Sequence, residues 1–212
     1  MDKLLAAIQP FISLLKDLVT IASLSIAACV AIKGLQTWRH QLKGTANYEC
    51  ARRLVKAAYQ LRDALQSVRN PFIPGGEFER AEKEMQVDIK SSDKDPHTIL
   101  TAAVYQMRWK PVVEAARTLE LEVVEAETIW GPKVKDATAA IWKSVNTLNI
   151  AISIVLEDMQ SQSLSRLDKE GVEAYRQILY SISTEPEKDP FLKELNPAIK
   201  AIEELARPYL AR

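Results

Sequence analysis

The stretch Leu18–Ile32, LVTIASLSIAACVAI, is an unbroken run of 15 uncharged residues, and its reading decides the fold. On its N-terminal side Leu4–Leu15 supplies 12 more, separated from the run only by the adjacent charges Lys16 and Asp17. A helix needs about 20 apolar residues, within about 17–25, to cross the hydrocarbon core of a bilayer. Leu18–Ile32 alone falls short, whereas Phe11–Ile32 fits if the charged pair is tolerated. The expectation is one transmembrane helix over about residues 9–32, within an N-terminal membrane segment 1–36.

Other readings of the stretch explain less of it. A secretory signal calls for a basic start, and Met1-Asp2-Lys3 is nearly neutral. Ile26-Ala27-Ala28-Cys29 has the form of a lipoprotein cleavage box, but apolar Val30-Ala31-Ile32 continues past the cysteine. A buried core helix of a soluble protein is the plain alternative, because apolar runs of this length occur in large cores. Flanking charge gives the orientation. Lys33, Arg39, Lys43, Arg52 and Arg53 follow the run within about 20 residues, against Lys3 before it, so the positive-inside rule places the C-terminal body in the cytoplasm. Trp38 beside Arg39 suits an interface anchor, with a ring at headgroup level and a charge near phosphates. Two unpaired cysteines, Cys29 and Cys50, agree with a reducing compartment. The expected location is a bacterial inner membrane, crossed once.

Neighbours in sequence point about 100° apart on a helix, so Lys16 and Asp17 cannot pair on one face. A charge at the centre of a bilayer costs about 2.5–3.5 kcal/mol or more on insertion scales. Either several copies gather the pair into a polar ring or lumen, or the span starts at Leu18 and the pair marks its outer boundary. In the second case the preceding residues form an interfacial helix.

Past the span, residues 37–212 read as helix almost throughout. Tyr48, Ala51, Val55, Ala58, Leu65 and Val68 form a stripe on a helix from about Thr45 to Arg69, punctuated by Gly44 before it and Asn70-Pro71 after it. Between Lys33 and Arg69 stand eight Lys/Arg against Glu49 and Asp63, an excess hidden by the chain's balance of 28 basic and 28 acidic residues. Lys43, Arg52, Arg53 and Lys56 are the candidate basic juxtamembrane face, suited to anionic lipid or an acidic partner. In the turn-rich loop Asn70–Gly76, Phe72 and Ile73 are expected to tuck into a core or a neighbouring subunit. A short exposed helix and a loop are expected across Glu77–Asp95. Asp95-Pro96 opens a helix reaching Trp130-Gly131, which Pro111 should kink or divide. Its Glu114, Glu120, Glu122, Glu125 and Glu127 make it the acidic counterpart of the basic helix. Further helices are expected over about 132–160, 168–183 and 189–210. No stretch alternates with period two, so the fold class is all-α: one N-terminal transmembrane helix followed by a cytoplasmic antiparallel helical bundle.

Composition excludes several classes. With 47% hydrophobic and 26% charged residues the chain is neither disordered nor low-complexity, and zero formal net charge disfavours nucleic acid as a partner. Two His and two Cys are too few for a structural zinc site. No Gly-x-Ser-x-Gly elbow, Walker loop or dinucleotide fingerprint occurs. An Arg-x4–6-His nuclease centre is absent too: Lys90, Ser91 and Ser92 precede His97 at that spacing, and Lys33, Gly34 and Leu35 precede His40. Glu122 and Glu125 stand at i, i+3 but lack the Glu-x-x-His pairs of a di-iron centre. No catalytic residue, cofactor or metal is expected.

Thr37-Trp38-Arg39-His40-Gln41-Leu42-Lys43-Gly44, with Arg69-Asn70-Pro71-Phe72-Ile73, resembles a family of small bacterial single-span membrane proteins of unassigned function. The resemblance covers about the first 75 residues, with Trp130-Gly131 as a further point, and its motifs specify no chemistry. In architecture alone the chain is similar to the membrane-anchored, pore-forming accessory protein of type VI CRISPR systems, without residue correspondence. The functional expectation is a homo-oligomeric membrane assembly, a pore or permeabilising effector such as one used in phage defence. The alternative is a membrane-tethered adaptor that binds protein, anionic lipid or nucleic acid through its basic helix.

Overall fold

A computed structural model describes residues 2–86, 95–160, 168–180 and 186–211, with 2–13 and 186 described by backbone alone. The described residues form six α-helices and one 3₁₀ turn, with no strand. The helices are α1 (Asp2–Val68), α2 (Gly75–Met85), α3 (Pro96–Trp130), α4 (Lys133–Gln160), α5 (Lys169–Leu179) and α6 (Pro190–Leu210); the 3₁₀ turn is Pro186–Lys188. The all-α expectation holds. By compactness the chain divides into two units, Met1–Asn47 and Tyr48–Arg212.

Two expected breaks do not occur. Gly44 ends nothing: α1 runs 67 residues through both Gly34 and Gly44. A helical glycine costs about 1 kcal/mol relative to alanine, too little to stop a helix that meets no proline between Pro10 and Pro71. Pro111 does not divide α3 either; the helix continues from Pro96 to Trp130 around it. The true stops follow stronger local rules. Asp95, Asp168 and Asp189 each cap a helix by accepting backbone N–H bonds, from Thr98, Gly171, and Phe191 with Leu192 respectively. Gly131, at φ +83°, closes α3 in a conformation that a side chain would strain, and its N–H reaches Glu127 O at 2.8 Å.

The second unit has one principal core, set by heptad-like spacing. Ala51, Leu54, Ala58, Leu61, Leu65 and Val68 of α1 alternate steps of three and four. Tyr105, Val112, Leu119 and Ala126 of α3, and Val134, Ile141, Leu148 and Val155 of α4, step by seven. Phe191, Leu195, Ala198 and Ile202 of α6 return to three and four. These are the spacings at which side chains of one helix interlock with those of another. Trp130 stacks flat on Tyr209 with centroids 4.4 Å apart, holding the end of α3 to the end of α6. A smaller cluster of Ala81, Ala103 and Val104, with Ile73, Phe78, Met85 and Met107 against it, fixes α2 on α3.

Candidate functional site

Every described side chain from position 14 to 46 is exposed. Twelve large apolar residues lie there, from Leu14 to Leu42, each 49–66% accessible. They do not form a stripe: Leu14, Leu15, Leu18, Val19, Leu24 and Ile26 already point to most sides of the helix at about 100° per residue. A helix apolar on most sides has no orientation that satisfies water. At about 1.5–3 kcal/mol per large aliphatic side chain, leaving the Leu14–Ile32 set in water forfeits on the order of 10 kcal/mol or more. The hydroxyls within this stretch are self-satisfied. Thr20, Ser23, Ser25 and Thr37 donate to the carbonyls of Lys16, Val19, Ile21 and Lys33 at 2.7–3.0 Å. That is how hydroxyls are accommodated where water is absent.

A second helix, Lys133–Gln160, is also long and apolar enough to cross a membrane by composition. Burial separates the two: none of the most apolar window of α1 is buried, against 33% for α4. In the run 150–156 Ala151, Ile152 and Val155 are core residues.

Lys16 and Asp17 are both exposed on α1, and the helix is continuous through them. Trp38, Arg39 and Lys43 are exposed on the same helix. The expected basic face is partly consumed further on. Arg53 donates through Nε to Glu122 at 3.0 Å and through Nη2 to Glu125. The acidic run of α3 thus meets the basic run of α1, and the i, i+3 carboxylates hold a guanidinium. The two hydrogen bonds to these carboxylates push the Arg53 pKa up, Glu122 contributing most. Arg52 pairs with Glu49 on its own helix, while Lys56 is exposed. Cys50 is buried beside this cluster. Burial first, then the Glu125 charge, raises its thiol pKa and keeps it protonated.

Phe72 and Ile73 part company. Ile73 packs against the smaller core cluster, but Phe72 is 69% exposed and tucks into no core formed by the described residues. The reason is Arg108. Its guanidinium binds Glu77 through two hydrogen bonds of 2.7 and 2.8 Å and also donates to the carbonyls of Asn70 and Phe72 at 2.6 and 2.8 Å. This clamp fixes the loop by its backbone, and the Phe72 side chain faces out. Arg108 holds the Glu77 carboxyl below the usual carboxylate range, and Glu77 raises Arg108 in return.

Beside the clamp lies a pocket of about 360 Å³ lined by Pro71, Ile73, Phe78, His97, Thr101, Tyr105, Met159 and Tyr180. His97 tilts against Phe78 with centroids 5.7 Å apart, and Thr101 donates to His97 O at 2.8 Å. Burial, then the neighbouring Tyr180, pushes the Tyr105 phenol above its ordinary value. No acid faces His97 in hydrogen-bond range among the described residues. Nor do any three His, Cys, Asp or Glu there converge as metal ligands.

The residue that sequence reading misplaced most is Arg69. Counted there among the juxtamembrane charges, it is 1% exposed. Its Nη2 lies 2.9 Å from Asp189, its Nε donates to Ile178 O at 2.6 Å, and the guanidinium lies 4.5 Å over the Phe191 ring. Burial pulls its pKa down while Asp189 holds it up. The one signal was the Asp189-Pro190 cap, which revealed one partner and not the other. No family model, curated protein or solved structure matches this chain.

Proposed function

We propose that the chain is a single-span bacterial inner-membrane protein whose C-terminal body is a cytoplasmic antiparallel helical bundle. It acts as a homo-oligomer that permeabilises the membrane. The observation that carries this reading is the fully exposed, apolar α1 between Leu14 and Leu42, which only lipid or another apolar surface can cover. Lys16 and Asp17 in the same stretch support assembly, because intramembrane charges face a bundle interior or a water-filled path. Trp38 and Arg39, both exposed, support an interface at that depth.

The adaptor reading draws its support from the exposed Lys43 and Lys56, which leave cationic surface for anionic lipid or an acidic protein. It loses Arg53, already held by Glu122 and Glu125. The deciding experiment reconstitutes the full chain into liposomes of phosphatidylethanolamine and phosphatidylglycerol loaded with a self-quenched dye. Carbonate-resistant insertion with dye release supports a permeabilising assembly. Insertion without release, with binding that depends on Lys43 and Lys56, supports the adaptor. Extraction by alkaline carbonate refutes both.

A further inference from the structure

We propose that neighbouring copies of α1 lie parallel and pair Lys16 of one protomer with Asp17 of the next, closing a ring of four or five spans. The inference rests on the reading of α1 as a transmembrane span in a homo-oligomer and names the contact that builds it. Lys16 and Asp17 are exposed, sit on one continuous helix and differ in depth by about 1.5 Å. They point about 100° apart, so neither can neutralise the other within one helix. In an antiparallel arrangement the pair of a second copy would lie toward the opposite side of the bilayer. In a parallel arrangement it lies at the same depth, and charge complementarity is then met by the copy itself. At the interaxial spacing of packed helices, about 8–10 Å, a lysine stem and an aspartate together bridge the gap.

The angle selects the number. Seen from one member of a closed ring, its two neighbours lie about 90° apart in a ring of four, about 108° in five and about 120° in six. The roughly 100° between Lys16 and Asp17 aims one charge at each neighbour for four or five copies. In a parallel pair of helices both charges would instead flank a single contact, each about 50° off its line. Side-chain size agrees independently. Thr20, Ala27 and Ala31 fall in the sector between the two charges, with Leu24 the one large residue there. Leu15, Leu18 and Ile26 fall in the opposite sector, together with the small Ala22 and Cys29. The mostly small residues between the charges suit close approach of the spans.

The test uses the full chain extracted in mild detergent, with mass measured by light scattering after detergent subtraction. Carbonate resistance of the source membranes is measured in parallel. The wild type is expected at four or five times the 23.8 kDa protomer. Lys16→Asp or Asp17→Lys alone should shift at least nine-tenths of the protein to smaller species. The double exchange, Lys16→Asp with Asp17→Lys, should restore the wild-type mass. The neutral variants Lys16→Gln and Asp17→Asn, which burden insertion less, should also dissociate, and co-expressing the Lys16→Asp and Asp17→Lys chains should give mixed oligomers. A wild-type monomer or dimer that is still carbonate-resistant overturns the ring while leaving the span intact. So does an oligomer indifferent to the single exchanges, or one that the double exchange does not rescue. Loss of carbonate resistance in the wild type overturns the span and the ring with it.

Discussion

Removing either member of the buried Arg69–Asp189 pair should cost more stability than any other single charge removal in the second unit. The two side chains are 1% and 2% exposed, so deleting one strands the other without water. Breaking a buried pair from one side costs about 3–5 kcal/mol. Asp189 also caps α6, accepting from Phe191 N at 2.9 Å and Leu192 N at 3.2 Å, and a lost cap adds about 1 kcal/mol. Asp189→Ala should therefore lose about 4–6 kcal/mol, and Asp189→Asn, which can still cap, about 3–4 kcal/mol. Arg69→Met falls in the same range, since it also takes donors from the carbonyls of Ile178 and Gln177. The double variant Arg69→Met with Asp189→Asn removes both charges and keeps the cap. It should fall only about 1–3 kcal/mol short of wild type, far less than the sum of the singles. Thermal unfolding of the full chain in mild detergent, followed by circular dichroism, reads these losses as falls of about 10 °C or more for each single variant. Single variants within about 1 kcal/mol of wild type, or a double variant equal to the sum of the singles, would refute the argument that the pair anchors α6 beneath the end of α1.

Three further outcomes can be checked with the same preparation. Glu77 is held below its ordinary value of 4.5 by Arg108, so its contribution is complete above that pH and is lost as pH falls through the folded value. Between about pH 5 and 3 the wild type should lose stability more steeply than Glu77→Gln, and parallel curves would count against the clamp. In a Cys50→Ser background, Cys29 in native membrane vesicles should react with a membrane-impermeant maleimide at least about ten-fold more slowly than after denaturation, because lipid around a spanning α1 keeps the reagent out. Labelling at the rate of a free thiol would mean that this face of α1 meets water. Phe72→Ser should change stability by less than about 0.5 kcal/mol, whereas Ile73→Ser should cost about 1–2 kcal/mol; equal costs would contradict the clamped loop.

The sequence made legible whatever depended on local chemistry or on periodicity. Asp95, Asp189 and Gly131 mark helix ends by rules that act within a few residues, and all three ends stand where expected. Of the expected stripe, Ala51, Ala58, Leu65 and Val68 are buried and Tyr48 and Val55 half-buried, because spacing alone puts them on one side. Charge complementarity between α1 and α3 was also readable, since an excess of bases in one segment and of acids in another leaves few other partners. Two readings in which one residue would break a long helix failed: Gly44 does not open one, and Pro111 does not divide one. Gly44 and Pro111 each cost their helix something, but dozens of residues on both sides outweigh one local penalty.

Arg69 and Arg108 escaped for a different reason, and it bears on what the second unit is for. An arginine in sequence carries the same charge whether it is solvated or buried; only the tertiary fold brings Asp189 to one and Glu77 to the other. Both arginines act at the point where α1 ends. Arg69 ties its last turn to α6 and to the carbonyls of α5. Arg108 ties the following loop to α3 through the backbone of Asn70 and Phe72. Such fixed points are costly, since each desolvates a charge, and aliphatic side chains would hold helices together with less penalty. What ion pairs add is a defined direction at the end of one helix and the start of the next chain segment. The last turn of α1, tied by directional charges to α5 and α6, resists rotation about its axis better than one held by aliphatic contacts alone.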